Sequence, residues 1–247
     1  MKVGSIVKII LFLILSSICL GILSYTLGTL YFPQKPESSA PASQEMKYKT
    51  VIIDAGHGGE DGGASSAAGL VEKNVNLDIS SIICDMLKSC GVNVIMTRTD
   101  DRLLYDRNID YHGRKKKLDL AARLLVMQNT SDAIFVSIHM NSYTNPKYSG
   151  LQVWYSQNHL ASMTLAELIQ SSNRKTLQPS NNRKIKAATS SIHLLDKATC
   201  PAILVECGFL SNEEEANLFE TDGYKQKVAF IIFCSIIKFL NENNADS

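Results

Sequence analysis

The chain has 247 residues, of which 45% are hydrophobic and 20% are charged. This composition excludes a disordered polyelectrolyte and a collagen, and the length is sufficient for one well-buried α/β domain. The 25 basic and 24 acidic residues leave a formal net charge of +1, so we expect no nucleic-acid partner.

The amino-terminal segment is strongly apolar. Residues 9–32 contain no charged side chain, and about 20 apolar residues are enough to span a bilayer. Lys2 and Lys8 precede this run, so the positive-inside rule predicts that the rest of the chain lies outside the cytoplasmic membrane. The predicted organisation is a transmembrane anchor or signal peptide at 1–32, a Pro- and Ser-rich linker at 33–47 and one folded domain at 48–247.

Strand and helix patterns alternate along the domain. Short apolar runs predict strands, and apolar residues three and four positions apart predict helices. The predicted strands are Thr50–Ile53, Val92–Met96, Ala133–Ile138, Leu151–Tyr155 and Ala202–Val205, and the predicted helices are Val71–Leu87, Lys117–Met127, Leu160–Gln170 and Tyr224–Leu240. The buried face predicted for the second helix consists of Leu118, Ala121, Ala122, Leu125 and Val126. This alternation predicts a single three-layer α/β domain, with a mostly parallel twisted sheet covered by helices on both faces.

Polar side chains follow three of the predicted strands. His57, His139 and Glu206 stand at or just past the carboxyl ends, where open α/β sheets place their sites. Two imidazoles and one carboxylate form a catalytic zinc arrangement. Glu72, at the start of the first helix, competes with Glu206 for the third ligand position. The acid that does not bind the metal can then take a proton from the water that attacks an amide or ester.

Further polar residues are candidates for supporting roles. Arg98 ends a strand at the same edge, where it could hold a substrate carboxylate or pair with a neighbouring aspartate. Asn141, two residues after His139, could bind substrate or orient a ligand. Asp54 and Asp61 flank the glycine-rich loop, and either could accept a hydrogen bond from an imidazole or close a turn.

Four sequence blocks occur in order between residues 51 and 215: VIIDAGHGGEDGGA, VEKNVNLDIS, IFVSIHMNS and PAILVECGFLSNEEE. Together they resemble the zinc N-acetylmuramoyl-L-alanine amidases of bacterial cell walls. The resemblance implies one zinc ion per chain, held by His57, Glu72 and His139, with Glu206 as the catalytic base. It also implies a substrate, peptidoglycan, and a reaction, cleavage of the amide between N-acetylmuramic acid and the L-alanine of the stem peptide.

A second set of features resembles the germination-specific amidases of endospore formers. These features are HGRKKKLDLAARL, KYSGLQVWYS and SIHLLDKATCPAILVE. They imply action on spore cortex, on the path to muramic δ-lactam, and a location in the forespore intermembrane space or cortex. The alternatives are an amidase of vegetative daughter-cell separation and a non-catalytic wall-binding protein. An accessory cell-envelope protein is a further possible partner.

Overall fold

A computed structural model describes residues 12, 14–18, 20–22, 47–106, 108 and 113–245. Residues 12, 14–18 and 20–22 are helical. Most of the predicted anchor, and the predicted linker up to residue 46, lie outside the described residues. No helix within the described part of the chain has both the length and the apolar character needed to cross a bilayer.

The domain alternates strands and helices, as the sequence predicts. Its strands are β1 Thr50–Ala55, β2 Asn93–Met96, β3 Ala133–Asn141, β4 Gln152–Tyr155, β5 Lys186–Ala187 and β6 Ala202–Phe209. Its helices are α1 Glu72–Ser89, α2 Lys115–Gln128, α3 Leu160–Thr176, α4 His193–Asp196, α5 Glu213–Glu220 and α6 Asp222–Ala245. The two-residue β5 and the short helices α4 and α5 are additions to the prediction, because segments this short carry too few residues to show a period.

The sheet is mixed, with the strand order β2-β1-β3-β6-β4-β5. The four strands β2, β1, β3 and β6 are parallel to one another. Strand β4 runs antiparallel to β6, and β5 is parallel to β4. The prediction of a mostly parallel sheet is therefore confirmed for four strands, while the last two run in the opposite direction.

Helices cover both faces of this sheet. On one face, α1, α3 and α6 pack on alternate strand residues such as Val51, Val136 and Val205. On the other face, α2 and α4 pack on the intervening strand residues, including Ile52 and Phe135. The three-layer prediction holds for the described domain, and the second face is the one that carries the site described below.

Helix α2 buries a different face from the one that the sequence predicts. Asp119, Arg123 and Met127 are its buried residues, whereas Leu125 is 54% exposed. The apolar pattern was misleading because an ion pair between Asp119 and Arg123, with Nε and Oδ2 2.7 Å apart, lets two charged side chains turn inward. Buried charges are tolerated where they are paired and hydrogen-bonded.

Strands β3 and β6 extend past their predicted ends, so His139 and Glu206 lie within strands. The two residues are partners in the β3–β6 register. The register then shifts, because Asn141 pairs with Phe209 and β6 therefore carries one extra residue. This β-bulge lets Glu206 and Phe209 share one face of the sheet, while Cys207 packs into the core on the other face.

Candidate active site

The glycine-rich loop after β1 places His57 in an unusual backbone conformation. His57 has a φ of 62°, in the left-handed region that few non-glycine residues adopt. Such strain is concentrated at functional sites, where surrounding contacts hold it in place. Here Arg123 holds the loop, since its Nη2 donates a 2.7 Å hydrogen bond to the carbonyl oxygen of His57.

Three predicted ligands converge at the carboxyl edge of the sheet. Glu72 Oε1 lies 3.0 Å from His139 Nδ1 and 3.3 Å from His57 Nε2. One donor atom from each residue lies within 4.8 Å of the other two. Ligand atoms at tetrahedral angles and zinc distances are separated by roughly 3.3–3.6 Å. The donor set and its spacing therefore fit a zinc ion.

Glu72 is held rigidly at this position. Its Oε2 accepts a 2.8 Å hydrogen bond from the Ala64 amide, and its Oε1 accepts a 3.1 Å hydrogen bond from the Met140 amide. Burial alone would raise the pKa of Glu72, but the hydrogen bonds with His139 and His57 lower it far below its usual value. Glu72 is therefore a preorganised anion, which is the form that binds a metal ion.

His57 also contacts a second carboxylate. Asp61 Oδ2 lies 2.9 Å from His57 Nδ1, as an ionic contact without the alignment of a hydrogen bond. Burial alone would lower the pKa of His57, but the carboxylates of Glu72 and Asp61 raise it. Of the two loop aspartates, Asp61 is therefore the one that contacts an imidazole, because Asp54 hydrogen-bonds Thr97 and Ser137 instead.

Glu206 lies beside the three ligands and differs from Glu72. Its side chain is half-buried, and its Oε2 is buried without a hydrogen-bond partner among the described residues. Burial raises the pKa of Glu206 to about 7, with a further contribution from Glu72 and opposition from His139. A carboxyl group whose pKa lies near neutrality can both accept and return a proton, which suits it to general acid–base catalysis.

Two glycines lie so close to the predicted ligands that no larger residue fits in their place. A Cβ at Gly56 would overlap the imidazole of His139, and a Cβ at Gly63 would overlap Glu72 and lie 2.8 Å from His57 Cδ2. Gly63 also has a φ of 68°. These two glycines therefore allow the loop backbone to approach the ligands, as glycine does where the chain must pass close to a site.

Arg98 is buried beneath the glycine-rich loop. It is 1% exposed, and it donates hydrogen bonds to the carbonyl oxygens of Ala55, Gly56 and Lys73 at 2.7–3.0 Å. Its Nη1 also donates to the backbone carbonyl of Asp100 rather than to the carboxylate. These contacts favour a role in positioning the loop over the binding of a substrate carboxylate.

Asn141 ends β3 two residues beyond His139. Its carbonyl oxygen accepts a 2.8 Å hydrogen bond from the amide of Leu210. Its side chain lines a surface groove that begins beside Glu206. The structure therefore brings Asn141 near the site, at the edge where a bound substrate would pass.

Sequence reasoning did not identify Arg123. This guanidinium is 2% exposed, and it pairs with Asp54 and Asp119 while it bonds the carbonyl oxygens of Ala55 and His57. The available signal was the four-residue spacing of Asp119 and Arg123, which forms an ion pair on a helix. That spacing is common on solvated helix faces, so by itself it did not indicate a buried residue.

Comparisons with known proteins agree with this geometry. The family model of the N-acetylmuramoyl-L-alanine amidases, Amidase_3, matches residues 51–238. A germination-specific N-acetylmuramoyl-L-alanine amidase of Bacillus subtilis is 34% identical over 206 residues, which cover 83% of this chain and 86% of that protein.

Solved structures show the same fold. The CwlD amidase of Clostridioides difficile, solved in complex with the GerS lipoprotein, is 37% identical with a TM-score of 0.74, over 78% of this chain and 98% of that chain. The amidase AmiC2 of Nostoc punctiforme is 30% identical with a TM-score of 0.66, over 79% of this chain and 98% of that chain. The family match spans most of the domain and includes His57, Glu72, His139 and Glu206. The chain therefore belongs to the N-acetylmuramoyl-L-alanine amidase family, and it is a hydrolase that acts on an amide of peptidoglycan.

Proposed function

We propose that this chain is a zinc-dependent amidase in which His57, Glu72 and His139 hold one zinc ion and Glu206 is the catalytic base. The observation that carries the proposal is the convergence of three donor atoms within 4.8 Å beside the Glu206 carboxyl group, one buried oxygen of which has no hydrogen-bond partner in the described part of the chain. The bond cleaved is the amide between the lactyl group of N-acetylmuramic acid and L-alanine.

The residues have distinct roles in this reaction. A zinc ion at the site supplies Lewis-acid chemistry, which polarises the scissile carbonyl and lowers the pKa of the attacking water. Glu206 accepts the proton of that water as it attacks the carbonyl carbon. When the carbon–nitrogen bond breaks, Glu206 donates this proton to the amine of L-alanine. A pKa near neutrality allows the same carboxyl group to perform both transfers.

The supporting residues keep the ligands in place. Arg123 and Arg98 bind the backbone of the glycine-rich loop, and the amides of Ala64 and Met140 fix Glu72. Asp61 lies against His57, where it favours one orientation of the ring. Such outer contacts normally affect metal affinity by about 10–100-fold.

The amidase proposal is tested by incubating the full-length chain, kept soluble in detergent, with purified peptidoglycan. We expect stem peptides with free L-alanine amino termini, identified by mass spectrometry, and we expect a zinc chelator to prevent their release. Glu206→Ala should retain zinc and lose turnover by roughly 10²–10⁴-fold. Glu213→Ala, which removes an exposed glutamate from α5, is the matched control and should remain active. Full activity of Glu206→Ala would overturn the assignment of the base.

We further propose that the substrate is spore cortex. The 34% identity to a germination-specific amidase supports this role. Removal of the stem peptide frees the lactyl carboxyl group, which is the group that muramic δ-lactam formation consumes. The test compares cortex peptidoglycan that still carries its stem peptides with vegetative wall from the same species. Equal rates on both would favour daughter-cell separation instead.

The predicted location and partners belong to the same proposal. The apolar segment at 1–32 would attach the chain to the membrane or export it, with residues 48–247 outside the cytoplasm. The complex of the 37% identical amidase with a lipoprotein supports an accessory partner at the cell envelope. Activity that appears only when an envelope fraction is added would support such a partner.

A further inference from the structure

A groove beside Glu206 has a composition that the proposed catalytic residues do not explain. It has a volume of about 370 Å³, and Trp154, Arg183, Lys186 and Phe209 are among the side chains that line it. None of the described residues that line it is an aspartate or a glutamate. The cationic lining predicts that its ligand carries negative charge.

The pairing of strands places the groove next to Glu206. Gln152 is opposite Glu206 in the antiparallel β4–β6 pair, so the two side chains lie on the same face of the sheet. Trp154 is two residues further along β4 and therefore lies on that face as well. Lys186 is the β5 partner of Trp154. The groove thus extends from the proposed base toward the β5 edge.

Aromatic rings hold the two cations in position. The guanidinium of Arg183 lies 4.5 Å from the ring centroid of Phe209 and 5.6 Å from that of Tyr148. The ammonium of Lys186 lies 5.0 Å from the ring centroid of Trp154. These ring faces are therefore covered by cations, which disfavours the stacking of sugar rings on them.

Lys186 remains available for a ligand. It is exposed, and among the residues that the structure describes it has no acidic partner. Arg183 uses Nε on the carbonyl oxygen of Ser149, at 2.7 Å, and Nη1 on Gln152 Oε1, at 3.2 Å. These bonds fix the guanidinium, while no carboxylate of the described residues neutralises the Lys186 ammonium.

We infer that this groove binds the stem peptide of the substrate through the free carboxylate of the residue that follows L-alanine. This inference rests on the proposed amidase function. The glycan is uncharged where each lactyl group is amide-linked, whereas the glutamate after L-alanine is joined through its γ-carboxyl and keeps its α-carboxylate. Among the parts of the substrate near the scissile bond, only the peptide therefore matches the charge of the groove.

The test compares two glycan–peptide substrates that differ only in whether this α-carboxylate is free or amidated. The zinc-loaded full-length chain should cleave the free form with a kcat/KM roughly tenfold higher, as expected for a charge-assisted contact. Lys186→Glu should abolish this preference. Lys184→Glu, a neighbouring exposed lysine that does not line the groove, should retain it.

Other outcomes separate the subsite from the amidase. If the wild type cleaves both substrates equally, or if Lys186→Glu slows both to the same extent, the carboxylate subsite is overturned and the amidase stands. If neither substrate is cleaved, the proposed function fails, and titration with the free L-alanyl-γ-D-glutamyl tripeptide decides the subsite. Binding that Lys186→Glu weakens and Lys184→Glu does not would support it, and equal binding or no binding would overturn it.

Discussion

The two glutamates of the site have opposite electrostatic surroundings. Glu72 is held as an anion by two imidazoles and two backbone amides, whereas Glu206 has a buried oxygen that meets no hydrogen-bond partner among the residues that the structure describes. Their pKa values are shifted in opposite directions, down for Glu72 and up for Glu206. Such divergence is how two carboxylates in one site acquire different roles.

This divergence predicts a pH-dependent stability for the metal-free chain. The pKa of Glu206 is about 7 in the folded state, compared with 4.5, the ordinary value of a glutamate, in the unfolded chain. The folded state therefore holds more protons between these values, and stability falls as the pH rises from 4.5 to 7. The loss should be on the order of 1–3 kcal/mol, and Glu206→Gln should avoid it.

Urea unfolding of both proteins in chelator, at intervals between pH 4 and 8, measures this difference. We expect the two unfolding free energies to diverge in favour of Glu206→Gln as the pH rises. Parallel pH profiles would show that the Glu206 carboxyl is not shifted.

Gly56 provides a second prediction at this scale. A methyl group at this position overlaps His139, so Gly56→Ala should displace the ring and weaken zinc binding by roughly 10–100-fold. Zinc content after dialysis, measured by atomic absorption, checks this expectation. Gly223→Ala, where a Cβ meets open space, should bind zinc as the wild type does. Unchanged zinc content in Gly56→Ala would contradict the close approach.

At the scale of elements, ion pairs and hydrogen bonds of Arg123 connect α2 to the site. Arg123 connects Asp119 of the helix to Asp54 of β1 and to the backbone of the glycine-rich loop. Burial raises the pKa of Asp54, but Arg123 and the hydroxyl groups of Ser137 and Thr97 lower it below its usual value. Asp54 is therefore a buried anion that depends on its partner.

Arg123→Met should consequently destabilise the fold. Two buried carboxylates lose their counter-ion, which typically costs 3–5 kcal/mol by order of magnitude. Urea unfolding of the variant measures this cost, and Lys117→Met, on the exposed face of the same helix, is the control. A loss below about 1 kcal/mol, the usual size for a surface ion pair, would contradict the buried network.

The difference between α2 and the other helices shows what the sequence could provide. Helix α1 buries Val75, Ile79 and Ile83, as its apolar period predicts. Helix α2 buries an ion pair, which a hydrophobic period cannot reveal. Likewise, the ends of parallel strands indicated His57 and His139, whereas the direction of β4 depends on long-range pairing with β6. The groove beside Glu206 is built on that pairing, so it could not be predicted.

At the scale of the whole molecule, the site brings together residues that lie far apart in the sequence. His57 follows β1, Glu72 begins α1, and His139 lies in β3. A ligand that binds all three therefore binds only the folded chain, which stabilises it by mass action. Folding of the domain and binding of the proposed zinc ion are thus expected to be thermodynamically coupled.

Zinc at about 100 times its Kd should raise the unfolding midpoint by roughly 5–10 °C. Differential scanning calorimetry with and without zinc measures the shift. His139→Ala should lose this zinc-dependent shift. His159→Ala should keep it, because the His159 side chain lies away from the site and accepts a hydrogen bond from the Ala161 amide at the start of α3. An equal shift in His139→Ala would mean that zinc binds elsewhere.

The extra residue in β6 has a consequence for how the groove could be altered. Cys207 packs into the core on the face that α1, α3 and α6 cover, and a Cβ at Gly208 would meet Phe219 on that same face. Two residues separate Glu206 from Phe209, so a regular strand would place these two side chains on opposite faces, and the bulge is what keeps both on the groove side. Deleting Cys207 or Gly208 would leave one residue between them, so Phe209 would stay on the groove side in a strand without a bulge. We therefore expect the groove wall to tolerate a one-residue deletion here, whereas flattening the bulge at unchanged length would turn Phe209 away from Arg183.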